Sequence, residues 1–513
     1  MKRRTAGFLL LVFILFASSH TEGQQRLLHP GQLYDASMEL YYNGRCEEAI
    51  QGFSKIVQSA PASKLVSYSQ YMIGLCHLKA GRYAEAIQQL ELYLKIYPEG
   101  DRVREAEKGI QDARQQLKKK NLEPPAVSEL RRKSRDEGRK AKRRICVQVS
   151  NFEGKSLQEL EKRVRELKDA GVNTILFRVF QNKGDRLYQF VTARYEEGVY
   201  FKTEYAPVVD DILGNVADIV HRNGLEIFAW ITTRYANYGF EGSPEYRCRS
   251  YNFETKKMDV ARGFSLFHPE VLKRLEGLFR DLGRNPIDGI LFQDDLILKH
   301  NEDFSTEANK AFLNEFGYMP HPDLFYIHPY RSESGKYFVK GYTDRFMSWA
   351  NWKNRWLMNV AKQLMEAARE SNPNLQFAIN LYFEAVINDS KGMVWFSQTL
   401  SQALGKDFDY YAVMAYHRQA MKDLKIELKE AIDLMGEAAQ KAVEAVGDPS
   451  RVLMKVWVLD WKKFEVLPKQ EMEEVLTAIL NRGEVSLAFV PYVNHSPILS
   501  LKEKWAPSQK SSE

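Results

Sequence analysis

The chain has 513 residues, of which 44% are hydrophobic and 12% aromatic, values typical of a folded protein with two or three domains. Its formal net charge is +6. Residues 118–144 contribute +8 (twelve basic, four acidic), and Lys2, Arg3 and Arg4 near the N-terminus contribute +3, so the rest of the chain has a net charge of about −5. The net charge therefore does not favour nucleic-acid binding. Four cysteines are too few for a disulfide scaffold. We interpret them as buried small hydrophobic residues with at most one bridge, between Cys46 and Cys76. Their spacings match no metal site, and we predict no cofactor.

The first 24 residues have the pattern of a secretory signal peptide. A basic start is followed by an unbroken apolar run from Phe8 to Ala17 and then by small residues. The run is too short to span a membrane as a helix, and no cysteine follows it closely for lipid attachment. We therefore expect a periplasmic or secreted protein with no stable membrane span in the mature chain.

Residues 27–117 contain an internal repeat. Four motif positions recur 37 residues later: Gly44, Ala49-Ile50, Phe53 and Pro61 become Gly81, Ala86-Ile87, Leu90 and Pro98. Small residues let paired helices approach closely, and each proline ends the second helix of its unit. The pattern resembles tetratricopeptide repeats, with Asp101–Lys120 as a capping helix. Such repeats bind partners, and an envelope secretion component is the candidate here. Residues 118–144 are predicted to be a basic linker, with contact to an anionic envelope surface as the alternative.

From residue 145 to about residue 500, strand and helix patterns alternate eight times. The strand candidates are Ile145–Val149, Asn173–Phe180, Leu225–Ile231, Ile287–Phe292, Leu375–Leu381, Tyr410–Ala415, Val452–Leu459 and Val485–Val490. Amphipathic helices such as Leu157–Ala170 and Val208–Asn223 lie between them. The series predicts an α/β fold, a (β/α)8 TIM-type barrel, with insertions at 182–205 and 239–267. A doubly wound sheet is the alternative, but the first strand is followed by a loop with one glycine and no dinucleotide-binding motif.

Acids and aromatic residues cluster at the predicted strand ends. The candidate catalytic acids are Asp294, Asp295, Glu384 and Asp460, and the candidate substrate-binding residues are Trp230, Asn380, Tyr382, Tyr416, Trp457, Trp461 and Tyr492. Aromatic faces stack on pyranose rings while carboxyl groups exchange protons with the glycosidic oxygen, so this composition indicates a sugar site. The alternative interpretation is structural, with the aromatics in the core and the acids in ion pairs or helix caps.

A family resemblance is carried by the segment Gly289-Ile290-Leu291-Phe292-Gln293-Asp294-Asp295. With Asn380-Leu381-Tyr382, Trp395-Phe396 and Val458-Leu459-Asp460-Trp461 in the same order, it resembles the C-terminal glycoside hydrolase domains of PgaB-type proteins. The resemblance implies cleavage of partly deacetylated poly-β-1,6-N-acetylglucosamine by an Asp of the pair. The sequence departs from the family at Gln293, where a His is usual, and after the sixth strand, where Tyr416-His417-Arg418-Gln419 has no carboxylate although the family tends to place a Glu there. Repeats replace the family's upstream deacetylase domain, so deacetylation is not expected.

Only one member of the aspartate pair can face the barrel axis, because neighbouring strand residues point to opposite sides. Glu384 or Asp460 would supply the second carboxyl group, unless the substrate's own N-acetyl group assists. The rim shows acids without a matching cluster of Lys or Arg, which predicts attraction of cationic, deacetylated sugars that weakens with salt. A non-catalytic polysaccharide-binding or export-scaffold protein is the alternative function.

Overall fold

The structure, a computed structural model, describes residues 30–59, 65–122, 141–238, 243–332, 337–460, 463, 465–493 and 498–505. The predicted signal peptide, most of the predicted linker and Trp461 lie outside these ranges. The chain divides between Arg139 and Lys140 into two compact units. No helix among the described residues combines the length and the apolar character needed to cross a bilayer.

The N-terminal unit consists of helices, as the repeat predicts. Helices α1 to α5 span Pro30–Tyr42, Cys46–Ser59, Leu65–Lys79, Tyr83–Ile96 and Val103–Leu122. Each helix packs against the next along the chain, and the small residues Ala49 and Ala86 are fully buried at equivalent positions. Gly44 and Gly81 follow α1 and α3 with φ of 77° and 72°, a left-handed conformation that glycine adopts without strain. The tetratricopeptide-like prediction is confirmed. Cys46 and Cys76 are buried free thiols in this unit.

The second unit is a closed barrel of eight parallel strands, which confirms the predicted fold. Strands β1 to β14 span Ile145–Val149, Thr174–Arg178, Phe180–Gln181, Gly198–Val199, Glu226–Ile231, Arg247–Asn252, Lys257–Phe264, Gly289–Phe292, Tyr326–Arg331, Tyr337–Tyr342, Gln376–Tyr382, Tyr410–Ala415, Val452–Trp457 and Ser486–Val490. The barrel order is β1-β2-β5-β8-β11-β12-β13-β14, and β14 closes onto β1. The barrel strands are almost wholly buried because helices cover the outside and side chains fill the inside.

Helices α6 to α17 span Leu157–Asp169, Leu213–Arg222, Pro269–Leu282, Thr306–Phe316, Asp344–Ser371, Phe383–Ile387, Asp389–Phe396, Leu400–Leu404, His417–Leu424, Leu428–Val446, Lys469–Leu480 and Ile498–Leu501. The helix predicted from Val208 begins five residues later, at Leu213. Val208 instead forms a bridge to Val199, and the Leu213 amide donates to the Tyr200 carbonyl. The loop that contains β4 therefore takes the residues that the apolar pattern assigned to the helix.

The remaining strands form three small antiparallel pairs outside the barrel: β3 with β4, β6 with β7, and β9 with β10. The first two lie in or overlap the two predicted insertions. The β9–β10 hairpin, between β8 and β11, was not predicted. Alternating strand patterns in such a short ribbon are weak, and the sequence around Tyr330 and Phe338 leaves large hydrophobic side chains exposed.

Candidate active site

The two adjacent aspartates have different environments. Strand β8 ends at Phe292, and Asp294 lines a cavity at the C-terminal end of the barrel. Asp295 is only 1% exposed and points away from it, toward the turn that follows β5. Its carboxylate accepts hydrogen bonds from Thr232 Oγ1 at 2.5 Å, Thr233 Oγ1 at 2.9 Å and the Tyr235 amide at 2.8 Å. The structure thus places Asp294 in the cavity and Asp295 in a buried hydrogen-bonded turn.

The cavity has a volume of about 280 Å³ and is lined from seven of the eight barrel strands or the residues just after them. Its lining residues are Gln148, Trp230, Gln293, Asp294, Asn380, Tyr382, Phe383, Glu384, Met414, Tyr416, Gln419, Lys455, Trp457 and Val490. Four buried polar atoms of this lining have no hydrogen-bond partner within the described ranges: Gln148 Oε1, Trp230 Nε1, Gln293 Oε1 and Glu384 Oε2. Buried polar groups are normally paired, so these atoms are available to a polar ligand.

Glu384 is the second acid in the cavity. It lies in the first turn of the short helix α11, directly after β11. Burial raises the pKa of its carboxyl from 4.5 to about 7, with Asp423 adding to the effect and the residue's own backbone amide and Lys391 opposing it. A carboxyl group with this pKa is protonated in a large fraction of molecules near neutral pH. It can therefore donate a proton, which is what a general acid must do.

Asp294 has few polar contacts within the protein. None of the residues that the structure describes donates a hydrogen bond to its carboxylate or forms an ion pair with it. Asp295, by contrast, accepts several hydrogen bonds. Asp294 shares the cavity lining with Tyr382, Tyr416 and Lys455, and its negative charge raises the pKa of each of these groups. Burial raises the pKa of both tyrosines, which are neutral phenols at physiological pH. Asp294 is thus an accessible carboxylate beside hydrogen-bond donors.

Lys455 is a site residue that the sequence analysis missed. It lies in the middle of β13, is 2% exposed, and its Nζ donates to Asn380 Oδ1 at 2.8 Å. Burial lowers its pKa from 10.5 to about 8, with Asp294 opposing the change. A charged residue inside an apolar strand is costly unless something uses it, and this signal was present in the segment Val452–Trp457. The prediction of acids without a matching cluster of Lys or Arg at the rim therefore overlooked Lys455, a basic residue inside the cavity.

Four of the predicted aromatic residues line the cavity: Trp230, Tyr382, Tyr416 and Trp457. The Tyr382 ring stacks on Phe396 with 4.0 Å between ring centroids and 9° between ring planes. Tyr416 meets Trp457 edge to face at 5.3 Å. Asn380 is held by its Nδ2, which donates to the Phe292 carbonyl at 2.8 Å. Rings fixed in this way form a rigid apolar wall beside the polar atoms.

Besides Asp295, two predicted residues lie outside the cavity. Asp460 forms an ion pair with Arg418, whose guanidinium also binds both carboxylate oxygens of Glu471, and the Lys463 amide donates to Asp460 at 3.0 Å. Tyr492 is buried beside Val149 and Arg163, in a separate narrow space between β1 and α6. Asp460 and Tyr492 were predicted to be site residues because each follows a strand end closely, and this position alone does not direct a side chain into the cavity. The side chain of Asp460 turns to Arg418 because the loop brings an opposite charge close.

Among the described residues, no group of three or more His, Cys, Asp or Glu side chains is arranged to hold a metal ion.

Residues 150–490 match the family model described as hypothetical glycosyl hydrolase family 13. The chain belongs to this family. Residues 68–100 match a tetratricopeptide repeat model. The barrel is thus a glycoside hydrolase domain that accompanies tetratricopeptide-like helices.

Two curated relatives, from Escherichia coli strains K12 and O157:H7, are each named poly-beta-1,6-N-acetyl-D-glucosamine N-deacetylase. Each is 24% identical over 376 residues, which are 67% of this chain and 49% of the relative. This chain therefore spans about half the length of the curated relatives that it matches. The PgaB (BpsB) glycoside hydrolase domain from Bordetella bronchiseptica is similar in structure, with a TM-score of 0.56 and 18% identity. That match covers 71% of this chain and 99% of the solved domain, and it shows a shared fold.

Proposed function

We propose that the barrel hydrolyses partly deacetylated poly-β-1,6-N-acetylglucosamine, with Glu384 as the general acid and Asp294 as the base or nucleophile. The observation that carries this proposal is the presence of two carboxyl groups with different environments in one cavity. Burial holds Glu384 protonated toward neutral pH, while Asp294 lies beside phenols and an ammonium group. Glycosidases use such a pair, one member as acid and the other as base or nucleophile. The names of the curated relatives support the choice of polymer.

In this mechanism, Glu384 gives its proton to the glycosidic oxygen as the bond from that oxygen to the sugar's C1 breaks. The Asp294 carboxylate either bonds to C1 or takes a proton from the water that attacks C1. In the first case a water later displaces Asp294 from C1 and gives its proton back to Glu384. In the second case Asp294 passes the proton to solvent, and Glu384 is reprotonated from solvent. The hydroxyl of the water ends on C1 in both cases. The separation of the two carboxyl groups selects between retention and inversion at C1, and assistance by the substrate's acetamide would replace Asp294 as the nucleophile.

The other predicted acids have supporting roles in this proposal. We assign Asp295 to holding the end of β8 against the turn at Thr232 and Thr233. Asp460 orients Arg418 beside the cavity. Trp230, Tyr382, Tyr416 and Trp457 supply stacking surfaces for the sugar.

Product analysis tests the proposal directly. Purified protein is incubated with partly deacetylated poly-β-1,6-glucosamine, and new reducing ends are measured over time. We expect cleavage by the natural protein, and a loss of at least about a hundredfold in kcat for Asp294→Asn and Glu384→Gln, as for other acid and base residues. The exposed Asp389→Asn, on α12, is the matched control. Cleavage at the natural rate by both cavity variants would refute the assignment.

A second function is a non-catalytic polysaccharide-binding or export-scaffold protein. The repeats favour it, because stacked helix pairs of this kind bind protein partners. In this case the polymer would bind in the cavity without new reducing ends. We propose a periplasmic or secreted location for either function, from the pattern of the first 24 residues, and a secretion component as partner of the repeats.

A further inference from the structure

Lys455 has more hydrogen-bond donors than the described residues accept from it. An ammonium group carries three N–H donors. Within the described part of the chain, Nζ has one hydrogen-bond partner, the side-chain oxygen of Asn380. Asn380 is itself fixed by its bond to the Phe292 carbonyl, so it holds the ammonium in place. The other two donors belong to a side chain that is 2% exposed and lines the cavity.

Lys455 lies at the deep end of the cavity. Trp457 is the last residue of β13 and shares the inner face with Lys455, because side chains two residues apart in a strand point the same way. The lysine backbone is therefore about 7 Å further into the barrel than that of Trp457. A sugar that stacks on the aromatic residues would direct a substituent toward the ammonium group.

The charges around Lys455 decide which substituent fits. Its facing titratable groups are Asp294, from the loop after β8, and Cys146, from β1. Beyond Asp294 lie Tyr382 and Tyr416, which are neutral, and Glu384. A protonated amine at the deep end would be repelled by the ammonium group of Lys455, and Asp294 is the one carboxylate among the described groups facing Lys455 that would offset this repulsion. An uncharged carbonyl or hydroxyl oxygen would instead accept the two unused donors.

We propose that Lys455 is a substrate-binding residue that donates to an uncharged oxygen of the sugar in the cavity, and that it selects an N-acetylated over an amine-bearing unit there. This inference rests on the proposed function and assigns the deacetylated units of the polymer to positions outside the cavity. It differs from the prediction, made from the acids at the rim, that a deacetylated sugar is attracted, and the binding test below decides between the two.

The test measures binding of two short β-1,6-linked glucosamine oligomers, one fully acetylated and one fully deacetylated. Quenching of tryptophan fluorescence reports binding, since Trp230 and Trp457 line the cavity. Measurements use the Glu384→Gln background, which stops turnover and removes a second titrating group. At pH 6.5 we expect the acetylated oligomer to bind at least about tenfold more tightly, as for hydrogen bonds from a charged donor, and Lys455→Met to bring the two affinities within about threefold. Lys469→Met removes the same charge from an exposed position on α16 and should preserve the preference.

A pH titration gives a second readout that needs no further substitution. Because burial lowers the pKa of Lys455 to about 8, affinity for the acetylated oligomer should fall as pH rises through that value, and the fall should be absent in Lys455→Met. If Lys455→Met folds, an unchanged preference for the acetylated oligomer would overturn this inference. If it does not fold, the absence of a fall in affinity above pH 8 in the Glu384→Gln protein would overturn it. Neither result would contradict the proposed hydrolase function. Failure of both oligomers to bind would overturn both.

Discussion

Glu384→Gln should abolish hydrolysis, and it should also remove a pH dependence of the unfolding free energy. Moving the carboxyl pKa from 4.5 to about 7 corresponds to about 3 kcal/mol of differential interaction between its two protonation states. The unfolded chain loses this proton near pH 4.5, whereas the folded protein keeps it until about pH 7. The natural protein therefore loses about 3 kcal/mol of unfolding free energy from this group as pH rises between these values, and glutamine does not titrate.

The assay is denaturant unfolding followed by tryptophan fluorescence at pH 4.5, 6 and 8. All eight tryptophans lie after residue 229, so the signal reports on the barrel and not on the repeats. Relative to the natural protein, Glu384→Gln should become more stable by about 3 kcal/mol between pH 4.5 and pH 8. In the natural protein, hydrolysis should decline above about pH 7 as the acid loses its proton. A difference in unfolding free energy that stays constant with pH would refute the argument that burial raises this pKa.

Three further outcomes follow from the other contacts. Asp295→Asn should lower the unfolding free energy by about 2 to 4 kcal/mol, because a carboxylate that accepts at least four hydrogen bonds is replaced by an amide that cannot accept them all; unchanged unfolding in urea would contradict this. Asp460→Asn should leave kcat within about threefold while raising KM, since Asp460 acts through Arg418; a hundredfold loss in kcat would return it to the catalytic acids. Deleting residues 27–117 should preserve hydrolysis in solution, because the barrel has its own core; a folded but inactive barrel would show that the repeats contribute to the site.

The barrel could be predicted from the sequence because its strands are short, apolar and separated by amphipathic helices. Each of the eight strand candidates overlaps an observed barrel strand, and the errors are at their ends. The β9–β10 hairpin was not predicted because its exposed strands are not apolar runs bounded by amphipathic helices. Composition therefore predicts the parts of a fold that are buried on both sides, and predicts surface ribbons poorly.

The site was harder to predict because its members are selected by contacts between distant residues. Period-two alternation predicted that one aspartate of the pair faces inward, but β8 ends at Phe292 and both aspartates lie in the turn after it. The hydrogen bonds of Asp295 to the turn from Thr232 to Tyr235 leave Asp294 in the cavity. Asp460 lies near a strand end, yet Arg418, 42 positions earlier, binds it. Lys455 was detectable as a charge within an apolar strand. Its meaning depends on Asn380, 75 positions earlier, which the sequence alone cannot place beside it.

The bonds of Asp295 have a consequence for how this barrel can be remodelled. The turn that it holds leads into the segment containing the β6–β7 hairpin, so the hairpin joins the barrel at a point anchored beside Asp294. Hairpin tips of other lengths or sequences, between Asn252 and Lys257, could then be exchanged without moving the end of β8. Arg249 and Tyr251 of β6 must be kept, because they bond to Asp303 and Asn301 in the segment after β8. The same anchor separates the rim of the cavity from its floor, so that the tip of the hairpin can vary while Asp294 and the end of β8 keep their positions.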